Sequence, residues 1–176
     1  MAYGGAMGQE QTPAGRTVLA EPAWRPSPRA KTLWAIPAAI GWVIVVIAEV
    51  VWFLSDSAHR PWQVLALVIT LVVAAAHVAG VPMWRYAVHR WEVTADAVYT
   101  RTGWFTQESR VAPISRVQTV DTHRGPLERL LGLATVTVTT ASSAGAVRIP
   151  ALDLATAEQT VERLTEVAAT HQGDAT

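Results

Sequence analysis

Cysteine is absent from the 176 residues, which removes disulfides, Cys-ligated zinc or iron–sulfur centres and thiol nucleophiles together. Charge is scarce as well: 16% of residues are Asp, Glu, Lys or Arg and 51% are apolar, where an ordinary soluble domain is about one quarter charged. Lysine occurs once, as Lys31, so Arg supplies thirteen of the fourteen basic groups. Beyond residue 81, nine Arg face ten Asp or Glu. A chain without a basic surplus does not neutralise a phosphate backbone, so nucleic acid is not an expected partner. Catalytic signatures are missing too: there is no P-loop, no G-x-G-x-x-G and no G-x-S-x-G elbow. His123, Asp121 and Ser142 or Ser143 make a trio on paper only, and Asp121 with His123 is too thin a metal set. The expectation is no enzyme, no cofactor and no metal.

What is present in excess is apolar chain. Residues 33–54 form a 22-residue run with Glu49 as its only charge, and 62–81 form a 20-residue run with none. At ~1.5 Å of rise per helical residue, each covers the ~30 Å hydrocarbon layer. Core helices of soluble proteins alternate an apolar stripe with polar residues, whereas 43–48 and, apart from Thr70, 64–76 are apolar all round. A cleaved signal peptide fits poorly, because the first run follows a leader of 32 residues, exceeds an h-region of roughly 7 to 15 residues and is followed by a second run. The pattern predicts transmembrane helices over 33–54 and 62–81, joined by an extracytoplasmic loop over 55–61. Trp34 and Trp84 mark one interface, Trp52 and Trp62 the other. Pro37 falls in the first helical turn, and Pro82 is expected to stop the second span. Arg16, Arg25, Arg29 and Lys31 precede the first span and Arg85, Arg90 and Arg101 follow the second, with only Arg60 between. The positive-inside rule then puts both termini of a multi-pass cell-membrane protein in the cytoplasm.

Glu49 and His77 are the ionisable groups inside the spans, and such groups are functional candidates by default. Counted from the expected helix ends they differ in depth by roughly 15 to 20 Å, too far to form one relay. Glu49 is expected to stay neutral or to snorkel toward the Arg60 loop, and His77 to reach the inner interface.

From residue 83 to 171 the pattern changes to alternation. Val88, Trp91 and Val93 open it, Thr94 to Ala97 is a turn, and strands are expected over 98–102, 106–112, 117–122, 135–140 and 146–149. Gly103 marks one turn, with Trp104 and Phe105 beside it, and 142–145 another. Gly125 to Gly132 reads as a short helix opened by Pro126 and stopped by Gly132. Leu154, Ala157, Val161, Leu164 and Ala168 fall at helical steps, with Asp153 as N-cap and Gly173 beyond the end. Many short strands and one closing helix predict a mainly β, α+β domain. Residues 1–32 show no period and are expected to be a disordered cytoplasmic segment apart from 24–31, and 172–176 a tail.

The residues also carry a likeness. Arg101 Thr102 Gly103 Trp104 Phe105 is followed by Val111 Ala112 Pro113 Ile114 Ser115 Arg116 Val117 Gln118 Thr119 Val120 Asp121. Gly125 Pro126 Leu127 Glu128 Arg129 Leu130 Leu131 Gly132 Leu133 Ala134 Thr135 Val136 comes next, and the run ends in Thr140 Ala141 Ser142. In these, and in having two spans ahead of the domain, the chain resembles the bacterial pleckstrin-homology domain family of YdbS-like membrane proteins over about residues 24–170. The resemblance implies a two-helix transmembrane hairpin followed by a pleckstrin-homology-like domain, a bent seven-strand barrel or pair of sheets capped by a C-terminal helix. It does not imply an activity.

Relatives of this fold that bind inositol phospholipids do so through a basic first hairpin loop. The corresponding turn here, Thr94 to Ala97, has no Lys or Arg. Arg101, Arg110, Arg116, Arg124 and Arg129 remain as candidates for a partner or an anionic headgroup, with Glu108, Asp121 and Glu128 nearby as ordinary salt-bridge partners. The expected function is a membrane-anchored interaction or scaffold module that binds another membrane protein or itself. The alternative is a sensor of anionic lipid in the inner leaflet.

Overall fold

A backbone in lipid has to satisfy its own amide groups, and unbroken apolar sequence does so as helix. The computed structural model describes residues 22–141 and 145–173, with side chains to Thr170. Most of the expected disordered segment, Ser142 and Ser143, and 174–176 of the tail lie outside these residues. The two apolar runs are α1 (Ala30–Ser55) and α2 (Arg60–Val88), antiparallel to each other and each long and apolar enough to cross a membrane. Between them the Asp56 carboxylate accepts the amide of Ala58 at 2.8 Å and meets His59 Nδ1 at 2.7 Å, closing a tight turn before Pro61 opens α2.

Pro82 does not end the second helix. α2 runs on to Val88 with Pro82 buried inside it, because one missing amide in a long packed helix is a local loss that neighbouring contacts offset. Val88, read from the sequence as the start of a strand, is therefore the last residue of that helix. The extension 83–88 carries the chain away from the apolar run and into the sheets.

Six strands follow in two antiparallel meanders. β1 (Arg90–Val93), β2 (Ala97–Gly103) and β3 (Gln107–Pro113) form the first, and β4 (Val117–His123), β5 (Leu133–Thr140) and β6 (Val147–Asp153) the second. Among the described residues no ladder joins the sheets, so the domain is a pair of three-stranded sheets, with six strands instead of the seven that the resemblance implied and no closed barrel. A single 3-10 turn (Ile114–Arg116) turns the corner between them. α3 (Pro126–Leu131) links β4 to β5, its Glu128 reaching back to the amide of Gly125 at 2.7 Å and Gly132 ending it at φ 68°. α4 (Leu154–Gly173) closes the domain, and includes Gly173 instead of stopping before it.

The core lies between the sheets and α4. Alternate residues of β5, Ala134, Val136 and Val138, are buried with Val98, Ile114, Ile149 and Leu152, and the stripe Leu154, Ala157, Val161, Leu164 and Ala168 lies against them. Each such Leu or Ile contributes about 1.5–3 kcal/mol by leaving water. A smaller apolar cluster, Ala30, Leu133 and Ala151 with Leu33, Trp34 and Leu131, seats the first turn of α1 on β5 and β6. Ahead of α1 the chain forms a strap: Trp24 and Trp91 exchange backbone hydrogen bonds of 3.0 and 2.9 Å, and the Ser27 amide donates to Ala151 O at 2.9 Å. Asp153, expected to cap α4, accepts the Ser27 hydroxyl at 2.8 Å and lies 3.7 Å from Arg29 Nη1.

Candidate functional site

The two ionisable groups of the hairpin do not meet; each takes a partner at its own level on the other helix. The Trp42 indole donates to His77 Nδ1 at 2.9 Å, and the Thr70 hydroxyl donates to Glu49 at 2.6 Å. One step further out, Gln63 Nε2 donates to Asp56 O at 2.9 Å, and one step further in, the Arg85 guanidinium lies 4.5 Å from the centre of the Trp34 ring. Trp34, Trp42, Glu49 and the C-cap residue Asp56 advance along α1 and its end by seven or eight residues, while Arg85, His77, Thr70 and Gln63 retreat along α2 by the same steps. Seven residues are close to two helical turns, so these rungs form one seam down the hairpin. Glu49 and His77 sit one rung apart, about 10 Å in depth and not 15 to 20 Å, because both helices run past the ends read from the sequence. Arg60 stacks 3.8 Å from the Phe53 ring instead of meeting Glu49.

The five candidate arginines do not form one patch. Thr100 stands opposite Arg110, and Arg101 opposite Ser109, so Arg101 and Arg110 project from opposite faces of the first sheet. Arg101 Nε donates to Val88 O at 3.3 Å, at the end of α2. Arg110 pairs with Glu108 at 2.7 Å and reaches Ala146 O at 3.3 Å. Arg124 Nε donates to Leu133 O at 3.1 Å. Arg116 and Arg129 are exposed on either side of β4 in the chain, and Leu130 beside Arg129 is 77% exposed. Asp121 and His123 are exposed on β4, where Asp121 accepts the Thr119 hydroxyl at 3.0 Å.

A concave feature lies where the hairpin meets the first sheet. A cavity of about 540 Å³ is lined by Trp34, His77, Arg85, His89, Thr102 and Trp104 among others, and no carboxylate among the described residues lines it. A second, of about 490 Å³, shares His89 and Thr102 and continues past Arg110 and Arg148. His89 is the pivot: its Nδ1 donates to Arg85 O at 2.7 Å, and its ring lies 4.9 Å from that of Trp34. Burial holds the His89 pKa below its ordinary value; the bond to Arg85 O opposes it in part, and the Arg85 charge adds a smaller push in the same direction as burial. None of the five arginines read from the sequence lines the first cavity. Arg85, His89 and Trp104 do, and the two-turn spacing of Trp34, Trp42 and Glu49 was the signal that could have set the hairpin register and brought Arg85 to Trp34.

The family described as Bacterial PH domain matches residues 33–168, which takes in both helices, both sheets and most of α4. The chain is 31% identical over 128 residues to the UPF0699 transmembrane protein YdbS of Bacillus subtilis (strain 168), covering 72% of this chain and 78% of that protein. No solved structure matches it. With two apolar helices ahead of a pair of three-stranded sheets and a closing helix, this membrane protein belongs to the bacterial PH domain family.

Proposed function

We propose that the chain is a non-enzymatic docking module that crosses the cell membrane twice, keeps both termini in the cytoplasm, and uses its PH-like domain to bind another membrane protein or a second copy of itself. The observation that carries this reading is the fastening of domain to hairpin. The strap at Trp24 and Ser27, the small cluster at Ala30 and the bond from Arg101 to Val88 O hold the sheets in one orientation on α1 and α2. A domain held this way presents the same side to its neighbours in the plane of the membrane, and tethering there raises effective concentration enough for a weak contact to count.

The side best suited to contact is β4 with α3. β4 is an outer strand of the second sheet, with Gln118, Thr119, Asp121, Thr122 and His123 exposed, and an outer strand accepts an added strand through its backbone. Beside it α3 offers exposed Leu130 flanked by Arg129. A photo-crosslinking residue at Leu130 in intact membranes is expected to give a discrete adduct, either with itself or with one membrane protein. Absence of both adducts defeats the reading, and external protease cutting the C-terminus from whole cells defeats the orientation.

A second reading rests on the cavity free of carboxylates. Arg85, with His77 and His89 beside it, would receive the phosphate of an anionic phospholipid. Purified full-length protein is then expected to retain anionic over zwitterionic lipid in native mass spectrometry. Arg85→Gln is expected to abolish that preference, and an unchanged preference would overturn the reading.

A further inference from the structure

We infer that the turn between β2 and β3, residues 103–106, is a second membrane anchor: a tip that buries Trp104 and Phe105 in the leaflet on the domain's side of the bilayer. It rests on the hairpin lying in a membrane and not on the docking reading above.

The path of β2 carries the inference. Arg101 Nε meets Val88 O at 3.3 Å, at the end of α2. Three residues on, Trp104 O accepts the indole of Trp84 at 2.7 Å, one turn back along the same helix. Gly103 and Trp104 then share a cavity wall with Val81 and His77, a further one to two turns back. As β2 advances, its contacts therefore retreat along α2 toward the apolar run, and the strand comes down beside the helix to the membrane boundary. The tip stands at the level of Trp84, where an indole ring prefers to lie.

The chemistry of the tip matches that place. Residues 102–107 carry no charge, Phe105 is 96% exposed and Trp104 51% exposed. Met83 and Trp84 on α2 are also exposed and extend the same apolar collar. A fully exposed Phe at the end of a hairpin has no packing role in the domain, and in water it is a standing cost. The turn between β1 and β2 is the contrast: its exposed residues are Ala95 and Asp96. The tip is also preset, because Gly103 has φ 139° and a Cβ there would fall 2.1 Å from Thr106 O, so the backbone holds the two aromatic residues outward without ordering on contact.

The native chain has no cysteine, so a single introduced thiol reports one position. Full-length Phe105→Cys and Ala95→Cys proteins, reconstituted into vesicles of phosphatidylcholine and phosphatidylglycerol, are treated with a charged, water-soluble maleimide after the vesicles are opened. Position 105 is expected to react at least ten-fold more slowly than position 95, and the difference is expected to vanish in denaturant. With an environment-sensitive fluorophore at 105, emission is expected to be quenched by nitroxide lipid and not by aqueous iodide. Equal reaction rates, or quenching by iodide alone, overturn the inference. Slow reaction with quenching by neither agent marks a protein contact and overturns it as well.

Discussion

Trp42 and Thr70 are unremarkable letters in an apolar run, yet they hold the two ionisable groups inside the apolar runs 33–54 and 62–81. Thr70→Val removes the donor to one Glu49 oxygen, while the other is already buried without a partner. Hydrogen bonds between membrane helices contribute about 0.6 kcal/mol on average and up to about 1.7. Thr70→Val and Trp42→Phe are each expected to fall in that range in reversible unfolding from mixed micelles. The two rungs share no partner, so the double variant is expected to be additive. Ala151 marks a different constraint: it is fully buried at φ 56°, in a bulge where Pro150 and Ala151 of β6 together face Thr135 of β5. A β-branched side chain is strained there and has no room, so Ala151→Val is expected to lose 2 kcal/mol or more by the same measurement (about 1–2 for the backbone plus overpacking of about 1–3), with Ala151→Gly far milder. Glu49 and His77 could be read from the sequence because charge in an apolar run stands out. Their partners could not, because periodicity describes one helix and says nothing of how two align.

Elements with a strong local signal were legible, and those shaped by distant contacts were not. The strict alternation of β5 and the three-and-four spacing of α4 each describe a face that packs, and both faces are buried as the pattern implied. Pro82 misled because a proline rule written for water-exposed helices ignores the neighbours that hold α2 together on both sides of it. β6 runs to Asp153 although Pro150 lies within it, since Pro150 sits in the bulge of β6, where the ladder is interrupted and does not need the amide that proline lacks. Asp153 looked like a cap by position, but the strap claims its carboxylate. At the β2–β3 turn the local signal was correct and understated. Gly103→Ala would put a Cβ 2.1 Å from the Thr106 carbonyl, and a displaced turn costs about 1–3 kcal/mol. Thermal unfolding should show that loss, whereas alanine at Gly80, where nothing lies within 4 Å of a Cβ, should not.

For the whole molecule, the two halves could be read separately and their junction could not, because it is built from a strap and a helix extension that carry no periodicity of their own. His89 sits at that junction, and it makes the junction sensitive to acid. Its pKa is lowered in the folded chain by burial first and by the Arg85 charge in addition, from an ordinary value of 6.5. Below pH 6.5 the unfolded chain therefore binds a proton that the folded chain still refuses, and stability rises with pH wherever the unfolded state holds more protons. The contribution is complete above about pH 7 and is lost as the pH falls through the range between the unfolded and the folded values. Asp56 shifts in the same direction, held down chiefly by its bond to His59, but from 3.8, so its contribution begins to be lost only in stronger acid. Unfolding midpoints between pH 5 and 8 should slope downward toward acid in the native chain. In His89→Gln, which keeps a donor for Arg85 O and cannot titrate, that slope should flatten while the fall below pH 4 persists. A slope unchanged by the substitution would mean that the junction stays closed whichever protonation state His89 adopts.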